Sequence, residues 1–321
     1  MVFNCYWQLK GTEIMTNNSY MKRNYKILAD KFKGEKNYKK ALDFLHKAYE
    51  CDKVSRDTDL LLDMALLHDE LGDYDKAREK YHAVLQIRPG EASGYYGIAI
   101  SYDNEGNYPM AIHYYKKAIE TDPAYEKAHF FLANAYDITG KKEEAIKYYR
   151  RVIDLNPGYF WAYVNLGSIY EEIDENEKAL GLMQKAMDLD PKNYKLLFNM
   201  GVILGKLSNI NEAIRYYTKS IGENPYYPYS YFNLAILYKE LNQYQRGINV
   251  LDEAIGYNKD ISILHYNRAC LHTILGDFDK AMKDLIKAIE LDRDLIQYAK
   301  TDEELEPLRG LSKYKDLFNR Q

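Results

Sequence analysis

Along most of the chain, apolar residues return at alternating three- and four-residue steps and then stop at short polar breaks. That rhythm predicts short amphipathic helices joined in pairs by tight turns such as "LGDYDKA" and "EGNYPMA". The pairs themselves repeat. Pro89, Pro123, Pro157, Pro191 and Pro225 each lie 34 residues apart. The stretch "YVNLGSIY" from Tyr163 is followed at the same 34-residue step by "LFNMGVIL", "YFNLAILY" and "HYNRACLH". Asn165, Asn199, Asn233 and Asn267 thus hold one phase of the period, polar residues inside otherwise core-like helices.

Residues 92–125 carry Tyr95, Ile98, Ala99, Tyr102, Gly106, Ala111, Tyr115, Ala118 and Pro123. Residues 126–159 repeat the skeleton with His129, Leu132, Ala133, Tyr136, Gly140, Ala145, Tyr149 and Pro157. This resembles the tetratricopeptide repeat (TPR) family, with its W-x2-L-G-x2-Y, A-x3-F, P pattern. The resemblance covers eight copies: 22–55, 58–91, 92–125, 126–159, 160–193, 194–227, 228–261 and 262–295. Arg56-Asp57 is inserted after the first copy, Lys259 and Arg293 replace the terminal proline, and Gly247 replaces the second-helix alanine. The resemblance implies an all-α fold: a right-handed TPR α-solenoid, a superhelix of helix-turn-helix pairs whose first helices line a concave wall.

The residues support that reading physically. Gly72, Gly106, Gly140 and Gly276 sit where a helix must end in a left-handed residue. Pro109 suits the first turn of a second helix, where no backbone N–H is needed. Small residues such as Ala99, Gly167, Gly201, Ala111 and Ala145 let paired helices approach closely. Two short helices cannot bury their apolar faces alone, so neighbouring copies stack. Residues 296–321 break the period and are expected to form a C-terminal capping helix and tail. Residues 1–21 lack periodicity and are expected to be disordered. Lys10-Gly11, encoded AARGGN, resembles a bacterial ribosome-binding site ahead of Met15, so a start at Met15 is an alternative to Met1.

Net charge is −4, with 29% charged residues of both signs, which opposes binding to a nucleic-acid phosphate backbone. Three cysteines in 321 residues do not make a disulfide framework. No apolar run is long enough for a membrane span and no secretory leader is legible, so a cytoplasmic setting is expected. The 33 tyrosines follow from a motif that uses tyrosine several times per copy. His68, His129, His265 and His272 fall where the repeat wants a large packing side chain, not at metal-ligand spacing. No phosphate loop, nucleophile elbow or dinucleotide fingerprint occurs, so neither enzyme activity, a cofactor nor a metal is expected.

With each copy numbered from 1 to 34, the family's groove-facing positions are chiefly 2, 5, 6, 9, 12 and 13. Position 5 reads Leu62, Tyr96, Phe130, Val164, Phe198, Phe232 and Tyr266, apolar throughout. Position 6 reads Asp63, Gly97, Phe131, Asn165, Asn199, Asn233 and Asn267. A primary amide pairs with both C=O and N–H of a peptide backbone, so such a row suits an extended chain of any sequence. The arrangement resembles the asparagine ladder of O-linked N-acetylglucosamine transferases. Asparagine is also the commonest TPR residue at that position, which leaves a purely local role open. Position 12 supplies Asp69, Asp103, Asp137 and Glu171, suggesting a ligand with a basic segment toward the first half; solvated rim charges are the alternative. Asn134 sits at position 9, but Phe130 stands where chaperone-binding TPR domains place lysine, so recognition of a chaperone tail is not expected.

The expected function is a non-catalytic protein–protein interaction scaffold holding a protein or peptide partner in its groove, with no nucleic-acid or membrane partner. The alternative is self-association into a homo-oligomer through terminal repeat faces or a Tyr-rich surface, to which "NPYYPYSY" at 224–231 contributes.

Overall fold

The computed structural model describes residues 2–51 and 56–319, with side chains over 18–51 and 56–318. All regular structure among the described residues is helical. The chain divides into two compact units, residues 1–162 and 163–321. The first contains α1 (Val2–Gly34), α2 (Tyr38–Glu50), α3 (Thr58–Glu70), α4 (Tyr74–Ile87), α5 (Ala92–Asn104), α6 (Tyr108–Thr121), α7 (Glu126–Ile138) and α8 (Lys142–Leu155). The boundary falls in the first turn of α9 (Phe160–Glu172). In the second unit follow α10 (Asn176–Leu189), α11 (Tyr194–Lys206), α12 (Ile210–Glu223), α13 (Pro228–Glu240), α14 (Tyr244–Tyr257), α15 (Ser262–Ile274) and α16 (Phe278–Leu291). It ends with α17 (Leu295–Thr301), a 3-10 turn over Glu303–Leu308 and α18 (Ser312–Asn319).

The first helices of successive pairs start at residues 58, 92, 126, 160, 194, 228 and 262, a constant step of 34. Within each unit the helices pack as consecutive hairpins, the TPR solenoid arrangement. Helix α1 is the exception, since its helical run begins at Val2 and takes in residues 2–21 of the segment expected to be disordered. The side chains of residues 1–17, Lys10 and Met15 among them, lie outside the described residues.

Each hairpin turns on one left-handed residue. Gly72, Gly106, Gly140 and Gly276 have φ of 74° to 78°. The equivalent positions elsewhere hold Lys36, Asp174, Ser208 and Asn242, with φ of 56° to 61°. The turn closes the helix end: Gly106 N–H donates to Asp103 O at 2.9 Å, and Asn107 N–H to Tyr102 O at 2.8 Å.

Small residues set the helix spacing. Ala77, Ala111, Ala145, Ala179 and Ala213 are fully buried at one phase of the period. The predicted packing of the histidines holds: His68, His129, His265 and His272 are all buried, and His129 Nε2 meets the Pro123 carbonyl at 3.1 Å.

The C-terminal cap is a folded-back assembly, larger than a single helix. Ile296, Ala299, Leu305, Leu308 and Tyr314 form one buried cluster with Ala281, Leu285 and Ala288 of α16. The Tyr314 hydroxyl donates to Ala299 O at 3.0 Å, and Arg309 donates to Asp302 O at 2.9 Å, pinning the reversal.

Candidate functional site

The first helix of each pair presents its positions 2, 5, 6, 9 and 13 together, because residues three and four apart share a helical face. In the first unit this face encloses a cavity of about 520 Å³. Its wall is mostly apolar: Leu62 and Leu66 of α3, Tyr96 and Ile100 of α5, Phe131 of α7, and Tyr125. Ser93, Asn104 and Lys127 provide its polar edge. Tyr96 is the hub, with its ring 5.2 Å from Tyr125 and 6.0 Å from Phe131, both edge-on. Leu66, 46% exposed, is the most open residue of this apolar wall among those with exposed hydrophobic side chains.

Position 6 faces a second-helix side chain of the preceding copy, and this explains its chemistry. In the first unit Gly97 receives the Tyr81 ring so closely that a Cβ there would lie 2.2 Å from it. Phe131 stacks on Tyr115 at 6.3 Å. In the second unit the Asn233 amide acts on the Tyr217 phenol, which burial pushes up. The amide row therefore answers first to its neighbours. Asn199 Nδ2 donates to Ser168 Oγ at 3.3 Å, and Asn267 Nδ2 donates to Ile263 O of its own helix at 2.8 Å. All four asparagines are half-buried. Asn199 also lines a second-unit cavity of about 250 Å³ with Ser168, Glu171, Phe198 and Val202. Asn267 borders only a cleft of about 10 Å³ beside Lys239. Asn134 accepts from the buried Tyr149 hydroxyl, an internal bond.

The apolar column divides. Tyr96, Phe198 and Phe232 are half-buried, whereas Phe130 and Val164 are buried in the packing between helices. Tyr266 differs most from its expected place in an open groove. It is 3% exposed because the C-terminal turn covers it. Its hydroxyl donates to Asp302 Oδ2 at 2.5 Å, and Lys239 Nζ holds Glu304 Oε1 at 2.6 Å. The chain's own acidic turn thus occupies the first-helix face of the last two copies.

The acidic column also divides. Asp137 pairs with Lys142 at 2.6 Å and Glu171 with Lys206 at 2.7 Å, so neither offers an uncompensated charge. Asp69 and Asp103 accept from the Tyr81 and Tyr115 hydroxyls at 2.9 and 2.8 Å. Burial pushes both carboxyls above the usual range, as it does that of Asp63 on α3. Sequence columns hid these tyrosine–carboxylate pairs, although the constant spacing of 12 residues was a signal for them.

No group of histidine, cysteine and carboxylate side chains among the described residues is arranged to hold a metal. No described helix is long and apolar enough to cross a membrane. Cys51 and Cys270 are free thiols.

A helical-repeat protein with recessed first-helix faces is the class these features define. Tetratricopeptide repeat models match residues 62–126 and 96–160, 148–181, 182–215 and 216–249, and 262–295. Together they span well over half of the chain, which belongs to the tetratricopeptide repeat family, a fold of protein–protein interaction scaffolds. A model of anaphase-promoting complex subunit 5 matches residues 31–87. No curated protein sequence matches the chain.

Among solved structures, the Cut9–Hcn1 hetero-tetramer of the APC/C is similar at 18% identity and a TM-score of 0.55, over 88% of this chain and 52% of that one. A MamA protein is similar at 26% identity and a TM-score of 0.48, over 52% and 92%. MamA from Desulfovibrio magneticus RS-1 is similar at 15% identity and a TM-score of 0.50, over 52% and 95%.

Proposed function

We propose that this chain is a non-catalytic cytoplasmic scaffold that binds extended segments of partner proteins on its first-helix faces, with basic residues of the ligand toward the first unit. The 520 Å³ cavity around Tyr96 carries the reading, since it is apolar, recessed and lined by consecutive repeats at the face-forming positions. Two buried anchors contribute about 1.5–3 kcal/mol each, against several kcal/mol for ordering a flexible peptide. The two terms nearly cancel, so affinity has to come from contacts made on several copies at once. The second-unit cavity at Phe198 and Asn199 offers the same mode within its own unit, while Tyr266 is covered by the cap and Asn267 bonds its own helix.

Panning a random dodecapeptide library on the full chain tests this, with Leu66→Glu as the control. Leu66 is exposed enough for the change to leave the fold intact. Enriched peptides that lose binding to the variant support the groove; enrichment blind to Leu66→Glu places the ligand elsewhere. A second reading, self-association, draws on Tyr226 and Tyr229, exposed at 66% and 59% beside Tyr257. Light scattering tests it: a mass that doubles with concentration and reverts in a Tyr226→Ser/Tyr229→Ser variant supports it.

A further inference from the structure

The cavity at Tyr96 differs from the rest of the first-helix face in what stands at position 6. Asparagine occupies that position in the second unit, whereas here Gly97 and Phe131 do, so no position-6 amide lines the cavity and the amide it does present, Asn104, stands at the polar edge. It offers aromatic rings, and three carboxylates stand next to its lining residues without lining it themselves. Asp63 follows Leu62 and lies within one helical turn of Leu66. Asp103 precedes the lining residue Asn104, and its charge reaches the Tyr96 phenol. Asp69 holds the hydroxyl of Tyr81, whose ring is part of the cavity wall.

Among the described residues none of these three carboxylates forms an ion pair, although Asp137 and Glu171 do. Lys26 and Lys33 act on Asp63 only at Coulomb range, as does Arg78 on Asp69 while it pairs with Asp75 and Glu105, and Lys127 lines the α7 edge with its side chain exposed. Half-buried carboxylates without a cation, beside a recessed aromatic wall, form a surface whose missing complement is a positive charge on an apolar stem.

Lysine and arginine both supply that charge, and the wall favours arginine. A guanidinium is planar and weakly hydrated, lies against ring faces, and forks two donors toward a carboxylate. Its methylene stem buries against aliphatic side chains while the head stays at the polar rim. An ammonium keeps its water more strongly and gains less against Tyr96 and Phe131.

We infer that the Tyr96–Gly97 cavity receives an arginine side chain from the bound segment, its stem against Leu66 and Ile100 and its guanidinium directed to the carboxylates of α3 and α5. This rests on the groove reading above and names the residue that the groove selects.

The panned dodecapeptides test it. Enriched sequences are expected to carry arginine beside a large aliphatic or aromatic residue. Replacing that arginine by citrulline, which keeps shape and removes charge, is expected to weaken binding at least tenfold in a fluorescence-anisotropy titration. Asp63→Asn, which breaks no hydrogen bond in the free protein, is expected to shrink the arginine-to-citrulline ratio at least threefold.

Peptides that bind and fail on Leu66→Glu, yet are indifferent to citrulline or to Asp63→Asn, overturn the inference and leave the groove reading standing. Enrichment of peptides without arginine does the same. If no peptide is enriched, the groove reading itself fails and the inference falls with it.

Discussion

The hydroxyl of Tyr115 donates to the carboxylate of Asp103 at 2.8 Å, joining the buried face of α6 to the last turn of α5. Tyr81 and Asp69 repeat the bond one copy earlier at 2.9 Å. A tyrosine ring at this position fills the core, but its phenol must find a polar partner or lose its hydration uncompensated. The acidic column of the second and third copies supplies that partner. Removing the donor should therefore cost more than a surface hydrogen bond does. Tyr115→Phe is expected to destabilise the protein by about 1–3 kcal/mol. The loss should be larger at pH 7 than at pH 4, because burial raises the Asp103 carboxyl and the orphaned group carries more charge at the higher pH. Urea melts at both values check it: no loss would show that the bond is incidental, and equal losses that the orphaned charge adds nothing.

Asp63, Asp69 and Asp103 all have carboxyls raised by burial. A carboxyl raised in the folded state favours folding at low pH, and that contribution is lost as pH rises through its folded value. The free groove is thus under electrostatic strain at neutral pH. Asp63→Asn is expected to stabilise the protein at pH 7 and to be neutral below the carboxylate range. The difference between variant and parent melting curves across pH 4–8 tests this. Destabilisation at pH 7 would mean that Asp63 is compensated within the fold.

The left-handed hairpin residue is glycine in four copies but Lys36, Asp174, Ser208 and Asn242 in four others. Left-handed backbone costs an L-residue about 1–2 kcal/mol, partly offset by the entropy glycine loses on folding, about 0.5–1 kcal/mol. Ser208→Gly should stabilise the second unit by up to about 1 kcal/mol. Asn242→Gly should give less, since asparagine tolerates this conformation better than serine. Thermal melts of the two single variants measure both gains, and a loss on Ser208→Gly would contradict the turn geometry.

Leu305 and Leu308 hold the cap, and both are fully buried. Leu305→Ala is expected to cost about 2–5 kcal/mol and to loosen the acidic turn from Tyr266. Beneath it Cys270 is 2% exposed, its thiol pushed up by burial. In a Cys5→Ser/Cys51→Ser background, Cys270 should react with a thiol reagent many times faster once Leu305 is truncated. An unchanged rate would show that the cap stays seated without that side chain.

The period made the hairpins legible, because 34-residue spacing, turn glycines and small contact residues are local signals repeated many times. Even Asp174, Ser208 and Asn242 could be placed by phase where composition alone would not mark a turn. The folded-back cap was not legible beyond the existence of a cap. Its defining contacts, Tyr266 with Asp302 and Lys239 with Glu304, join residues 36 and 65 apart, and a segment that occurs once has no period to betray it. The site was half legible. Columns identified the face, but aligning like with like concealed the diagonal relation between position 6 and the preceding second helix, visible in Gly97 and Tyr81.

That diagonal limits how such a chain can evolve. Equal-length copies invite recombination, and losing one whole 34-residue copy would preserve every helix boundary. Yet excising residues 92–125 would set Phe131 against Tyr81, whose ring now lies on the bare backbone of Gly97. The modules match in length but are keyed to their neighbours, so their order is inherited as a unit while their surfaces remain free to drift.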